Sequence, residues 1–419
     1  TCQIKRLNKI TLEYYTAYTA EVDFATFKDE DHTVSVNLVE GGLSKLIKKN
    51  EDTVFDVYVP AGEFIWDQDH PMKFANIEDV FITLIDKITD GGITSGDYGA
   101  SSQLLNDLRN NIVLTSNYWS NNAYYIKTSL KDFFKSINAV FSVGMLIEVV
   151  AGKEHLVIKP LDDLFTSDVI ASFSNINNFV MEVKDDLIFN TIKVGYESAK
   201  DFEWEANTYS IFEFSKIPVV KQLDLTSKYR ADGFGYDNIG SLEGDSTTHE
   251  VFFMCIYDGD IYYPDDFVPV PGNIKKGTNE YGAFYNAYLS PVRCFARNLA
   301  YIQSCLNTAQ SVRFSEGGND NINNQTQYNG GVWLSEFAAG PVELPQAMYI
   351  PYTFTITVPL LTDFHSTFSP ESTGLITFDY LGNTYKGYIL DIKIKLAGRG
   401  EVEFKLLASY DNDLTTLIR

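Results

Sequence analysis

Carboxylates and histidines are the side chains with the most chemistry to offer in this sequence, and three short runs bring them together. Asp67, Asp69 and His70 in WDQDHP are of the types used in general acid–base work or as metal ligands. Asp258, Asp260, Asp265 and Asp266 in DGDIYYPDD supply oxygen donors suited to Ca²⁺, yet the twelve-residue loop closed by a glutamate is missing. His249-Glu250 begins a zinc-type HExxH, but Phe253 stands where the second histidine must be. Gly92-Ile93-Thr94-Ser95-Gly96 puts its serine one position too late for a nucleophile elbow, and neither GxxxxGK[ST] nor GxGxxG occurs. A glycosidase needs two opposed carboxylates, and 56 acidic residues leave any such pair undetermined. The expectation is a protein that is not an enzyme and carries no cofactor or catalytic metal.

Tyr229, Arg230 and Asp232 in QLDLTSKYRADGFG form the remaining cluster with an arginine beside an acid. No nucleophile, base or metal pattern completes it. Asp232-Gly233 is a strong turn dipeptide, and Arg230 can bond a carboxylate with two parallel N–H groups, so the run reads as a structural joint between domains or subunits. Arg293 and Arg297, in SPVRCFARNLAYIQSCL, are placed to meet acidic neighbours either within the fold or at an assembly surface, while Phe295, Leu299, Ile302 and Leu306 share an apolar face.

The charge balance narrows the partners. With 56 acidic residues against 33 lysines and arginines the net charge is −23, which disfavours gripping nucleic acid or an anionic membrane. Cys2, Cys255, Cys294 and Cys305 have neither CxxC nor metal-ligand spacing. Cys294 and Cys305 fall in one expected helix about 16 Å apart along its axis, too far to bond within it. Isolated thiols of this kind point to synthesis in a reducing compartment. No apolar run reaches membrane-span length and no leader is visible, so no membrane anchor is expected.

The elements that must position these residues are mostly strands. A chain of 419 residues with 26 Tyr and 29 Phe predicts two to four domains of predominantly β character. The first forty residues alternate as half-buried strands, and Gly41-Gly42 breaks them before a short basic helix, LSKLIKKN. A helix over IEDVFITLIDKI is predicted, with Asn76 as N-cap, a Val80, Phe81, Leu84, Ile85, Ile88 stripe, and a stop at Gly91 or Gly92. A second helix starts at Ser129, buries Leu130, Phe133, Phe134, Ile137 and Phe141, and runs into a hairpin turning at residues 151–154. FNTIKVGY reads as a strand with Ile192 and Val194 on one face, and GGNDNINNQTQYNGG reads as a surface loop. At the C-terminal end, GLITFDY, TYKGYILDIKIKL and EVEFKLL form a three-stranded meander. The organisation is an N-terminal β domain over 1–75, an inserted α+β unit over 76–168, a central β-rich domain over 169–340 with a helix at 290–308, and a C-terminal β domain over 341–419.

Several of these stretches carry a resemblance. QLDLTSKYRADGFG, SPVRCFARNLAYIQSCL, NTIKVGYE, GLITFDYLGNTYKGYILDIKIKL and the 22–57 segment resemble, in the same order, a tail hub or baseplate virion protein family of phages that infect Bacteroides-type gut bacteria, crAss-like phages included. The helix–hairpin–LDDLF run resembles the insert domain of phage tail-hub proteins. The resemblance implies an α+β, predominantly β, multidomain architecture with β-barrel-like domains and an inserted helix-plus-hairpin unit. It implies a structural role in the virion tail, the protein being made in the host cytoplasm. Its partners would be its own copies in a trimeric or hexameric ring, other phage tail proteins, and DNA only in passage through the channel. The alternatives are a receptor- or glycan-binding tail protein, with Trp66, Trp119, Trp204 and Trp333 as stacking platforms, and a cell-wall-degrading tail enzyme.

Overall fold

In a computed structural model the described residues are 2–7, 14–30, 33–39, 42–58, 62–67, 70–102, 112–116, 125–197, 209–213, 221–231, 251–257, 260–262, 289, 291–306, 312–315, 322–323, 325–328, 332–335, 340–342, 345–359, 374–395 and 401–417. The chain is α+β and predominantly β: short helices pack among several separate sheets. The N-terminal strands Cys2–Leu7, Tyr14–Glu30 and Thr33–Val39 pair antiparallel, as their alternation predicts.

The two strongest helices form where their apolar stripes dictate. In the helix Ile77–Ile88, Val80, Phe81, Leu84, Ile85 and Ile88 are all buried. Asn76 sits at its N-terminus, but its side chain donates to Asp79 at 3.0 Å instead of accepting from a helix N–H. The helix ends at Thr89, and Gly91 turns the chain at a φ of 82°. The helix Leu130–Phe141 is capped as predicted, the Ser129 hydroxyl accepting from the Asp132 N–H at 3.1 Å. The two stripes face each other, with the Phe81 and Phe133 rings stacked at 5.9 Å.

The predicted hairpin follows, Val143–Val150 against Lys153–Pro160 in register from Val143↔Pro160 to Val150↔Lys153. Its turn is two residues long, Ala151 and Gly152, both at positive φ as a two-residue primed turn requires. A parallel strand, Gly99–Ser102, then adds to the outer side of Lys153–Pro160. Glu154 ties the hairpin to the basic helix Gly42–Asn50 by accepting from the Leu43 N–H at 2.5 Å. A carboxylate at a helix N-terminus meets both unsatisfied N–H groups and the positive end of the dipole.

One hydrophobic core runs from Leu43 through both helices and the strand Thr191–Tyr196 to Cys305. It crosses residues 75/76 and 168/169, the ends of the segments expected from the sequence. The second core belongs to a six-stranded sheet in which Val169–Phe173, Leu375–Tyr380, Asn383–Lys395, Glu401–Ser409, Tyr349–Pro359 and Asn178–Val183 lie side by side in that order. The predicted C-terminal meander is its centre. Its two edge strands come from 169–183, upstream of residue 340, and only residues 174–177 separate them in the chain.

The five steps from Phe173 to Asn178 span at most about 18 Å, less than the roughly 24 Å across six flat strands, so edges so closely linked require the sheet to roll upon itself. Ring contacts confirm the roll. Phe179, on one edge, lies 5.7 Å from Phe378 and 4.4 Å from Tyr380, next to the other edge. Phe354 meets Phe378 at 5.6 Å although their strands are not neighbours. The domain is therefore barrel-like, its aromatic interior closed by curvature.

Two sequence expectations are revised. Within 317–331, Ile322–Asn323 and Gln325–Tyr328 are strands, the latter paired with Val332–Ser335, so cross-strand pairing overrides a polar composition there. The helix expected at 290–308 is two pieces, Pro291–Arg297 and Leu299–Leu306, parted at Asn298. Asn298 shares its N–H between the carbonyls of Cys294 and Phe295, at 3.2 and 3.1 Å, which tightens the turn.

Candidate functional site

Tyr229 and Arg230, two of the residues singled out from the sequence, lie in the interior. The strand Gln222–Ser227 lies parallel to Thr191–Tyr196, and the chain beyond it turns so that Arg230 bridges to Val251–Tyr257. Its N–H donates to the Val251 carbonyl at 3.0 Å and its carbonyl accepts from Phe253 at 2.6 Å. Ser227 shapes the turn by accepting from the Tyr229 N–H at 3.1 Å and donating to the Tyr229 carbonyl at 2.8 Å.

Tyr229 is thereby buried between the two helix-bearing layers. Its hydroxyl shares a hydrogen bond with Thr128 at 2.7 Å, and its ring meets Phe133 edge-on at 6.3 Å and Phe253 at 5.8 Å. Burial holds its hydroxyl far above the usual tyrosine range, so it stays protonated. Arg230 is 5% exposed. It is not the exposed arginine of a surface cluster, and Asp232, expected beside it, lies outside the described residues.

Arg297 performs a second joining task. Its Nε donates to the Val140 carbonyl at 2.5 Å, its Nη2 reaches the Cys294 sulfur at 3.5 Å, and its guanidinium lies over the Phe141 ring at 5.8 Å. Asn298 adds a bond from its amide to the Ala139 carbonyl at 3.0 Å. Together they satisfy carbonyls in the last turn of the Leu130–Phe141 helix, where a cation also complements the dipole. Arg297 thus has a helix end within the fold among its partners. Arg293 is half-buried in the same helix. Asn298 escaped the sequence reading, although a polar residue inside the apolar stripe of a helix is the signal that marks it.

A third joint links the helix to the barrel-like sheet. Ser304 accepts from the Met348 N–H at 2.8 Å and donates to the Ala300 carbonyl at 2.9 Å. At the next residue the buried Cys305 thiol pairs with the Tyr349 hydroxyl at 3.4 Å, and the Tyr301 ring lies 6.5 Å from that of Tyr349. Phe165 packs on Tyr349 and Tyr388, at 5.5 and 4.9 Å. Desolvation pushes the Cys305 thiol up to about 11, so it is a thiol and a poor nucleophile at neutral pH.

These clusters hold segments together. Cys294 and Cys305 are buried and form no disulfide. Among the described residues no three acidic, histidine or cysteine side chains are grouped for a metal ion, and no helix is long and apolar enough to cross a membrane. His249, Glu250, Asp69, Asp258, Asp265, Asp266, Trp119 and Trp204 lie outside the described residues, as do the side chains of Asp67, His70, Asp260, Trp66 and Trp333.

No protein-family model and no curated protein matches the chain. Among solved structures it is similar to prophage tail protein gp18 from Listeria monocytogenes EGD-e, at 10% identity and a TM-score of 0.30, over 97% of this chain and 78% of that one. It is also similar to the 43 kDa tail protein of prophage MuSo2 from Shewanella oneidensis, at 7% identity and a TM-score of 0.38, over 95% of this chain and 80% of that one. Likenesses of this size fix neither a fold nor a role.

Proposed function

We propose that this chain is a structural protein of a bacteriophage tail, of hub or baseplate type, that works by assembling with its own copies and with other tail proteins around the DNA channel. The observation that carries the reading is the barrel-like sheet. Its edge strands leave Val169, Val180 and Val183 more than two-fifths exposed, and Leu390 on its longest strand likewise. An exposed apolar strand edge is a template for pairing with another chain, so these residues suit an interface between subunits. The buried polar groups described above tie segments of the fold to one another, which is work a structural protein needs. The kinship to phages of Bacteroides-type bacteria, and a place in the virion tail, rest on the resemblance of the sequence segments.

The mass of the purified chain tests the reading. Sedimentation velocity is expected to give a trimer or hexamer, and replacing Val180 and Val183 with lysine is expected to return it to monomer. A chain that stays monomeric at high concentration and binds glycan would support the receptor-binding reading instead.

A further inference from the structure

A cleft of about 390 Å³ opens on one face of the Leu130–Phe141 helix, where the helix Gly42–Asn50, the hairpin strand Val143–Val150 and the strand Gln222–Ser227 converge. Its floor is apolar: Ile47, Leu130, Phe134, Met145 and Leu225. This lies in the lower part of the size range of ligand pockets and is wide enough for one or two large side chains. Charge gathers at its mouth. Lys131 and Lys135 line it, but each is held at 2.8 Å by a carboxylate, Asp52 and Glu197 respectively. Glu51 and Asp224 also line the mouth and are exposed. The two ion pairs cancel, and Glu51 and Asp224 leave the mouth negative around an apolar floor.

We infer that this cleft receives a segment of another protein bearing one or two large apolar side chains flanked by lysine or arginine. The apolar floor supplies the affinity, and the negative rim selects the flanking charge. An acidic or neutral segment of equal apolar content meets repulsion or no attraction at the same mouth. The inference is independent of the oligomeric state proposed above, because the cleft and its rim belong to one chain.

Two synthetic hexapeptides test it, each with a central pair of leucines, one flanked by lysines and the other by glutamates. Calorimetry on the full chain is expected to show the lysine peptide binding at one site, about tenfold or more tighter than the glutamate peptide, with the gap closing in high salt. The double variant Glu51→Gln, Asp224→Asn leaves the floor intact and is expected to lose most of that preference. Met145→Trp, which fills the floor, is expected to weaken binding of the lysine peptide. Equal binding of both peptides, no saturable binding, or affinity unchanged in both variants would overturn the proposal. So would a concentration-dependent dimer abolished by Met145→Trp, which would assign the cleft to a second copy of this chain.

Discussion

At the scale of single residues, the polar side chains that matter are buried, and each is anchored on a partner far away in sequence. Tyr229 is the clearest case, since its hydroxyl meets Thr128 across 101 residues inside a ring of Phe133 and Phe253. Removing the hydroxyl in Tyr229→Phe keeps the ring packing and takes away one of the two hydrogen bonds of the buried Thr128 hydroxyl, an expected loss of about 1 kcal/mol in urea unfolding. With Thr128→Val added, the double variant is expected to be less unstable than the sum of the two single ones. If the double variant is as unstable as the sum of the two single ones, the bond does not couple them. The sequence singled out Tyr229 and Arg230, but their burial was not legible, because nothing local distinguishes an arginine or tyrosine in a surface turn from one folded under a strand.

At the scale of elements, local chemistry and tertiary context can be separated within one unit. Ser129 caps the helix Leu130–Phe141 through its own side chain, and the next hairpin turns at Ala151-Gly152. Ser129→Ala is expected to cost about 1 kcal/mol through the lost cap. Gly152→Ala is expected to cost about 1–2 kcal/mol from backbone strain alone, because open space surrounds the position of the added methyl while φ is 80°. Thermal melts of the two variants check both, and a neutral Gly152→Ala would mean that the turn relaxes to another geometry. Both elements were read correctly because their signals are short-range: a capping serine, a 3.6-residue stripe, a turn with glycine. The carboxylate at the start of the Gly42–Asn50 helix was not readable, since Glu154 reaches Leu43 across 111 residues. The parallel strand Gly99–Ser102 was missed for the same reason.

At the scale of the whole molecule, the helical core and the barrel-like sheet meet at the cluster of Tyr301, Cys305, Tyr349 and Tyr388, and that junction predicts the alkaline behaviour of the fold. Burial raises the Cys305 thiol from 9.0 to about 11, and Tyr301, Tyr349 and Tyr388 are raised as well. An acid whose folded value exceeds its unfolded one stabilises fully below the unfolded value, and the stabilisation fades as pH rises toward the folded value. The Cys305 contribution is therefore present below about pH 9 and fades between about 9 and 11, with the tyrosines adding to the loss above about pH 10. Urea titrations from pH 8 to 11 are expected to show stability falling through that window, and Cys305→Ala is expected to flatten its lower part. A slope unchanged in the variant would show that Cys305 does not titrate with unfolding. Sequence by itself determined the β-rich class, the two amphipathic helices, the Ser129 cap, the hairpin and the meander, because periodicity, caps and turns act over a few residues. Only the tertiary structure decided that strands 169–173 and 178–183 close the meander into a barrel-like sheet, that Arg297 and Asn298 cap a helix end, and that Arg230 lies inside. Those outcomes depend on contacts between residues far apart in the chain, whose formation is set by which surfaces bury each other and not by any local pattern.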